Sequence, residues 1–213
     1  MLSQWVRHIL QATVYDVAIE TPLDAAPKLS RRLNNHIRLK REDMQPVFSF
    51  KLRGAYNRIS QLTKAQQAKG VICASAGNHA QGVALSGKTL GLHTIIVMPR
   101  TTPDIKVDAV RQLGGQVILE GDSFAQANHY ALNRAQQEGL VYIPPYDDEL
   151  VIAGQGTIAM ELLRQWRHLD YVFVAVGGGG LIAGVAAYLG EVAPHVKIIA
   201  VESAESACLK LAV

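Results

Sequence analysis

The chain has 213 residues, of which 49% are hydrophobic and 18% charged, so it can bury a sizeable core and is too apolar to be disordered. Its formal net charge is only +3 and its basic residues are scattered, which gives no indication of a nucleic-acid interface. Two cysteines, Cys73 and Cys208, lie far apart in apolar runs. We therefore expect buried, reduced thiols and no metal site, in a cytoplasmic globular protein of one or two domains.

The N-terminal sequence predicts an amphipathic helix with Trp5, Ile9 and Leu10 on one side. This pattern differs from that of a signal peptide, and the longest apolar runs of the chain are too short to span a bilayer. We expect neither a signal peptide nor a membrane anchor. The sequence TPL at 21–23 predicts a turn or an extended segment, because the residue before proline avoids the helical region. The alternating sequence HIRLKRED then predicts a short strand.

From residue 52 onward, short apolar strands alternate with longer helices. This order is typical of a parallel sheet covered on both faces, so the predicted fold class is α/β. The predicted strands have the sequences VICA, TIIVMP, QVILE, VYIP, YVFVAV and KIIAVE. The predicted helices cover residues 52–62, 79–90, 104–113, 124–138, 149–166 and 181–189.

The segment SFKLRGA at 49–55 places Lys51 directly after Phe50 and at the start of a predicted helix. The positive end of a helix disfavours an ammonium ion, and partial burial behind Phe50 would lower the pKa of the amine further. A neutral amine is the form that condenses with an aldehyde. Most lysines are solvated surface charges, so the assignment of Lys51 depends on two further motifs.

The octapeptide SAGNHAQG at 75–82 lies between strand VICA and the next predicted helix. Small and polar residues at a helix N-terminus expose backbone N–H groups to an anion, and open α/β sheets bind ligands at the carboxyl ends of their strands. A carboxylate would be accommodated at this position. The alternative is structural, with Ser75 or Asn78 merely capping the helix.

Four glycines at 177–180 follow strand YVFVAV and precede another predicted helix. Without side chains, they let a phosphate reach the backbone amides at the positive end of that helix. The spacing of Gly178, Gly180 and Ala183 also satisfies the fingerprint of a dinucleotide-binding loop, with Glu202 at the position of a ribose-binding acid. A nicotinamide-dependent protein is therefore the rival interpretation, although such a domain usually begins with its glycine loop.

In sequence and in order, the three motifs resemble those of the serine/threonine dehydratase family of pyridoxal-phosphate enzymes, and within it the threonine deaminases of the biosynthetic type. The resemblance rests on EDMQPVFSFKLRGA, SAGNHAQG and GGGGL and extends from about residue 21 to the end of the chain. It implies fold type II of pyridoxal-phosphate enzymes, the tryptophan synthase β-like fold. A large parallel-sheet domain would comprise residues 1–42 and 146–213, and a smaller inserted α/β domain residues 43–145.

The resemblance implies pyridoxal 5'-phosphate as the cofactor and no metal. Lys51 would carry the cofactor and be the catalytic residue, Phe50 would pack near it, and Asn78 would hydrogen-bond the phenolic oxygen of the pyridine ring. The substrate's α-carboxylate would bind the segment from Ser75 to His79, and the cofactor's phosphate the glycine loop. The implied cofactor-binding residues are Phe50, Lys51, Asn78, Gly177, Gly178, Gly179, Gly180 and Leu181, and the implied substrate-binding residues are Ser75, Ala76, Gly77, Asn78 and His79.

The implied reaction is the deamination of L-threonine to 2-oxobutanoate and ammonia, the first step of isoleucine biosynthesis. Lys51, once displaced by the amino group of the substrate, would remove the Cα proton. L-Serine is a second expected substrate, because a hydrophobic pocket discriminates one methyl group only weakly. Serine racemases share this scaffold and are the nearest catalytic alternative. We expect no nucleic-acid or membrane partner, and a homo-oligomer for the full-length chain.

Full-length members of the family continue past the segment that corresponds to residues 206–210, and biosynthetic members add a regulatory domain. We therefore expect a chain truncated at its C-terminus, with an unpaired sheet edge. The alternative from another functional class is a truncated remnant that is catalytically incompetent. A nicotinamide-dinucleotide-binding protein is the remote alternative.

Overall fold

The computed structural model describes residues 2–212. Its helices are α1 (Gln4–Leu10), α2 (Pro27–Leu33), α3 (Lys51–Ser60), α4 (Lys64–Lys69), α5 (Asn78–Leu90), α6 (Asp104–Gln112), α7 (Phe124–Glu138), α8 (Glu149–Gln165), α9 (Gly180–Val192) and α10 (Cys208–Ala212). Its strands are β1 (Leu23–Ala25), β2 (Arg38–Lys40), β3 (Val71–Ala74), β4 (Thr94–Met98), β5 (Gln116–Leu119), β6 (Val141–Tyr142), β7 (Tyr171–Ala175) and β8 (Lys197–Val201).

Strands β3 to β6 form a parallel sheet in the spatial order β5-β4-β3-β6. Every residue of β3 and β4 is buried, because helices pack on both faces. Cys73 and Ile96 belong to a core shared with α3, α5 and α6, whereas Ile72 and Ile95 belong to a core shared with α7. The prediction of a parallel sheet covered on both faces is confirmed for these four strands.

Strands β7 and β8 pair in parallel as a separate two-stranded sheet, and β1 and β2 form an antiparallel pair. The inner face of the β7–β8 sheet packs through Val174 against Ala159 of α8 and Leu189 of α9. On its outer face, Tyr171 and Phe173 stack on each other and are 50% and 68% exposed. Within the described residues, helices cover only the inner face of this sheet.

The helices and strands predicted from residue 52 onward end within three residues of the observed positions. Helices α2 and α4 were not predicted, because they are short and bury no residue, so they lack an apolar repeat. Helix α1 buries Val6 and Ile9, whereas Trp5 and Leu10 are exposed. The predicted apolar side of α1 is therefore wrong except at Ile9.

Cys73 is buried, as predicted, but Cys208 is exposed at the start of α10, so the expectation of two buried thiols is wrong. Its neighbours in sequence are apolar, but the short helix that they form buries none of its residues. No helix among residues 2–212 is long and apolar enough to cross a bilayer.

Helices α3 and α8 cross at two glycines. A Cβ atom at Gly154 would lie 2.7 Å from the backbone oxygen of Arg53 and 2.7 Å from the Cα of Gly54. A Cβ atom at Gly54 would lie 2.6 Å from the backbone oxygen of Val151. Backbone atoms cannot yield as the end of a flexible side chain can, so the two helices approach this closely only because both positions are glycine.

We predict that Gly154→Ala lowers the free energy of unfolding by about 1–3 kcal/mol, because the added methyl group overpacks the contact between α3 and α8. Urea denaturation measures this loss. Gly190→Ala is the matched control, since Gly190 lies in α9 and a Cβ there would meet no atom of residues 2–212 within 4 Å. That variant should be neutral or more stable by up to about 1 kcal/mol. Equal destabilisation by both substitutions would contradict a tight α3–α8 contact.

Candidate active site

Lys51 is the first residue of α3, and its ε-amino group donates a hydrogen bond to the backbone oxygen of Pro145 over 2.6 Å. The ring centroid of Phe50 lies 5.6 Å from the same nitrogen. Burial lowers the pKa of Lys51 below its ordinary value. The positive end of α3 acts in the same direction, so the pKa of Lys51 is lowered at the position where the sequence predicts it.

The second motif leaves the carboxyl end of β3 and continues into α5. Gly77 is the N-cap of α5, and no side chain of residues 2–212 caps the helix. The hydroxyl of Ser75 instead accepts a hydrogen bond from the backbone N–H of Gly77 over 3.2 Å, and Asn78 is exposed. Capping by Ser75 or Asn78, the structural alternative, is therefore wrong. The N–H groups of the first turn of α5 lie next to Ser75, Ala76 and Gly77, where an anion could reach them.

Helix α5 also lies directly against the start of α3. A Cβ atom at Gly82 would lie 3.0 Å from the backbone nitrogen of Leu52 and 3.1 Å from the carbonyl carbon of Lys51. The last glycine of SAGNHAQG therefore permits the close approach that brings the first and second motifs together.

The imidazole of His79 is buried, and its Nε2 atom lies 3.0 Å from the backbone oxygen of Ile143. Because a carbonyl oxygen only accepts, Nε2 carries the proton, and Nδ1 is a buried acceptor for which no partner exists among the described residues. Burial lowers the pKa of His79 to about 4, with a smaller contribution from the charge of Lys51. The ring is thus neutral near pH 7. At the start of α5, His79 could therefore meet a ligand through its backbone N–H but not through its buried ring.

The glycine loop at 177–180 leads into α9, whose N-cap, Gly179, has a φ of +87° that favours glycine. No side chain of the described residues caps α9. Cβ atoms at Gly177 and Gly179 would meet no atom of residues 2–212 within 4 Å, so these two positions border open space. Gly178 and Gly180 instead lie against Tyr146. The loop therefore has one side that packs on the protein and one side where an anion can reach the amides.

Leu181 follows this loop as the second residue of α9. Its side chain is partly buried against the core shared by α8, α9, β7 and β8. Only its backbone can therefore take part in the binding role that the resemblance implies.

The segment at 143–146, which follows β6, contacts all three motifs. The oxygen of Ile143 accepts from His79, the oxygen of Pro145 accepts from Lys51, and Tyr146 lies against Gly178. Sequence reasoning did not identify this segment as part of a site. Its signal is the pair of prolines at 144–145, which restrict the backbone and have no N–H groups for continuing a strand or helix.

Behind Lys51, the fully buried guanidinium of Arg53 binds two carboxylates. Its Nε and Nη2 atoms lie 2.8 and 2.9 Å from Glu42, and its Nη1 and Nη2 atoms lie 2.6 and 3.0 Å from Glu161 of α8. Lys40 also reaches Glu161, at 2.5 Å. Burial opposes the ionisation of Glu161, but the hydrogen bonds from Arg53 and Lys40 outweigh it and lower its pKa. This network ties the first turn of α3 to α8.

The rival nicotinamide interpretation needs Glu202 to face a ribose. Its carboxylate instead accepts from the backbone N–H groups of Leu209 and Lys210 at 2.7 and 3.0 Å, at the start of α10. Among residues 2–212, no group of three or more His, Cys, Asp or Glu side chains could hold a metal ion.

Comparison with known proteins gives the class of this chain. The model of the family described as "Pyridoxal-phosphate dependent enzyme" matches residues 14–213. The chain therefore belongs to this family, with the α/β fold of type II that the sequence predicts and with pyridoxal phosphate as its cofactor.

Within the family, the chain is similar to biosynthetic threonine dehydratases. It is 58% identical over 209 residues to threonine dehydratase 1 biosynthetic, chloroplastic, of Solanum lycopersicum. The matched region covers 98% of this chain and 34% of that protein. It is 57% identical over 210 residues to the biosynthetic L-threonine dehydratase of Escherichia coli. The matched region covers 99% of this chain and 41% of that protein. The chain thus spans between a third and a half of the length of these curated relatives.

Superposition on solved structures gives the same family. The processed form of threonine deaminase isoform 2 from Solanum lycopersicum superposes with a TM-score of 0.92 at 58% identity, covering 93% of this chain and 55% of that one. Maize serine racemase superposes with a TM-score of 0.88 at 34% identity, covering 92% of this chain and 60% of that one. The resemblance to threonine deaminases is confirmed.

The residues present fit pyridoxal phosphate. Lys51 supplies a partly buried amine of lowered pKa for the aldehyde. The N-terminus of α9, without a side-chain cap and open at Gly177 and Gly179, suits a phosphate. The N-terminus of α5 offers a second anion site for the carboxylate of an amino acid.

We predict that Arg53→Met costs about 3–5 kcal/mol of unfolding free energy, because Glu42 would lose its cation and the buried Glu161 would keep only Lys40 of its two. Arg58→Met is the control. Arg58 joins the same two helical regions through Asp148 at 2.9 Å, but the two side chains are 21% and 20% exposed, so its loss should cost about 1 kcal/mol or less. Equal losses in urea denaturation would contradict a special role for Arg53.

We also predict a pH dependence that belongs to His79. Its folded pKa of about 4 lies below the ordinary value of 6.5, so the unfolded chain binds the proton first. Stability should therefore fall as the pH drops from 6.5 toward 4, with a slope approaching about 1.4 kcal/mol per pH unit from this group. His79→Gln should remove that slope, whereas His129→Gln, at an exposed histidine, should keep it. Parallel pH profiles for wild type and His79→Gln would contradict the assignment.

Proposed function

We propose that the chain is part of a pyridoxal-phosphate-dependent threonine ammonia-lyase, which deaminates L-threonine to 2-oxobutanoate and ammonia. The observation that carries this proposal is the meeting of Lys51, the start of α5 and the glycine loop on the single segment at 143–146. The arrangement supplies an amine, a phosphate site and a carboxylate site, which are the three contacts that an amino acid and this cofactor need. The identity of 58% to biosynthetic threonine dehydratase, against 34% to serine racemase, favours deamination over racemisation.

We propose the predicted residues as the contacts of the cofactor. Lys51 would hold the aldehyde end through Nζ, with Phe50 beside it, and the amides at 177–181 would bind the phosphate. Asn78, which is exposed at the start of α5, would donate to the phenolic oxygen of the ring. When bound, pyridoxal phosphate supplies an electron sink that stabilises the charge left at the Cα of an amino acid.

The segment from Ser75 to His79, including Ala76 and Gly77, binds the substrate carboxylate through backbone N–H groups and the Ser75 hydroxyl. L-Threonine and L-serine both present this carboxylate, and they differ by one methyl group, so we propose L-serine as a second substrate.

Lys51 is the base in this proposal. Its Nζ atom, when not bound to the cofactor, would take the Cα proton, and its lowered pKa makes the neutral amine that this step needs more accessible than in an ordinary lysine. The oxygen of Pro145 then accepts a hydrogen bond from the protonated amine. His79 does not compete for this role, because its ring is buried and its pKa of about 4 makes it a much weaker base than an amine.

The division into a large domain of residues 1–42 and 146–213 and a smaller domain of residues 43–145 remains a prediction. The four-stranded sheet falls inside the smaller range and the β7–β8 sheet inside the larger one, which supports it. We further propose a cytoplasmic homo-oligomer for the full-length protein, as for the predicted enzyme class.

The test is covalent attachment of pyridoxal phosphate, followed by borohydride reduction and peptide mapping. Wild type should develop a visible absorption band and carry the label on Lys51, and Lys51→Ala should lose both. Lys64→Ala is the matched control, because Lys64 is also the first residue of a helix but is exposed. Label scattered over several lysines would contradict the site.

An assay with L-threonine then separates the two functional classes. Turnover that depends on Lys51 supports the lyase. Attachment to Lys51 without turnover of L-threonine or L-serine would overturn the proposed activity for this chain and favour the catalytically incompetent remnant.

A further inference from the structure

Tyr146 lies outside the three motifs, yet it packs directly against the glycine loop. A Cβ atom at Gly178 would lie 2.3, 2.4 and 2.5 Å from three consecutive atoms of the Tyr146 ring. A Cβ atom at Gly180 would lie 2.8 Å from the backbone oxygen of Tyr146 and 3.0 Å from its Cα. Two of the four glycines are therefore glycines because Tyr146 occupies the space beside them.

The loop needs such a neighbour. Four consecutive glycines have no side chains to fix their conformation, and glycine loses more backbone freedom on ordering than any other residue. The contact with Tyr146 restricts the loop on one side, whereas the other side, at Gly177 and Gly179, borders open space. An anion that approaches from the open side would meet amides whose direction is already set.

The same segment also reaches Lys51. The residue before Tyr146 is Pro145, whose oxygen accepts the hydrogen bond from the Lys51 amine at 2.6 Å. The oxygen of Pro145 and the Cα of Tyr146 belong to one planar peptide group, so they are held in a defined relation to each other. One short stretch of backbone thus sets the position of the glycine loop relative to the lysine.

We propose that Tyr146 is a positioning residue for the phosphate of the cofactor. Its ring holds the loop at 177–180 with the amides turned to the open side, at a fixed distance from Lys51. The tyrosine hydroxyl is not required, because the contacts involve ring carbons and backbone atoms. This inference rests on the proposed function, since it takes the loop to bind the phosphate of pyridoxal phosphate.

The test compares two aldehydes, pyridoxal phosphate and pyridoxal, which lacks the phosphate. Tyr146→Ala should raise the concentration of pyridoxal phosphate needed for half-attachment to Lys51 about tenfold or more, the effect of one hydrogen bond to a charged group. Attachment of pyridoxal should change by less than about twofold, within the scatter of a near-neutral substitution. Tyr146→Phe keeps the ring and should behave as wild type. Tyr171→Ala, at an exposed tyrosine of β7, is the control for loss of an aromatic side chain.

A double-mutant cycle adds a readout that a general loss of stability would not reproduce. Gly178→Ala should weaken attachment of pyridoxal phosphate, because the methyl group meets the ring, but in the Tyr146→Ala background it should have little further effect. The methyl group of Gly177→Ala would lie on the open side, away from Tyr146. Its effect on the attachment of pyridoxal phosphate should therefore add to that of Tyr146→Ala. Urea denaturation of each variant checks that it is folded under the conditions in which attachment is measured.

The outcomes are distinguishable. Failure of wild type to attach pyridoxal phosphate at Lys51 would overturn the proposed function itself. Normal attachment by wild type with unchanged attachment by Tyr146→Ala would overturn only the role of Tyr146. Equal loss of pyridoxal and pyridoxal phosphate attachment would also overturn it, because the effect would then lie at the lysine. Additive effects of Tyr146→Ala and Gly178→Ala would contradict the contact.

Discussion

The backbones of α3 and α8 touch at Gly54 and Gly154, and the buried Arg53 joins the same two helices through Glu161. Because Lys51 begins α3 and the segment at 143–146 precedes α8, this contact fixes the lysine relative to the oxygen that accepts its hydrogen bond. Arg53 lies two positions after Lys51 and points away from it around the helix, so the helix is anchored on one side and presents the amine on the other. The position of the amine in the proposed site depends on this attachment.

Only some helices of the described residues begin with a side-chain cap. The starts of α4, α7 and α8 are capped by the side chains of Thr63, Ser123 and Asp148. The starts of α2, α3 and α6 have no such cap, and those of α5 and α9 differ from these three in having glycine as the N-cap. A cap stabilises a helix by about 1 kcal/mol, so its omission at these two helices costs stability that an anionic ligand can restore. These are the helices to which we assign the carboxylate and the phosphate.

Much of the fold could be predicted from sequence, because the central strands are continuous apolar runs and the longer helices have regular apolar repeats. Lys51 and the glycine loop could also be predicted, since local sequence places them at helix N-termini. Arg53 could not, because its partners Glu42 and Glu161 are 11 and 108 residues away and only the fold brings them together. Tyr146 was missed for the same reason, since its contact is with a loop some thirty residues later in sequence. The exposed outer face of β7 and β8 also depends on tertiary packing, which strand patterns do not reveal.

The central claim is that one phosphate site and one lysine, joined through the segment at 143–146, hold pyridoxal phosphate. A crystal structure of the chain grown with the cofactor tests it most directly. The phosphate should lie against the amides at 177–181 on the side opposite Tyr146, and Lys51 Nζ should be bonded to the cofactor and no longer to the oxygen of Pro145. A phosphate bound elsewhere, or a Lys51 amine that still donates to Pro145 beside a bound cofactor, would contradict the account.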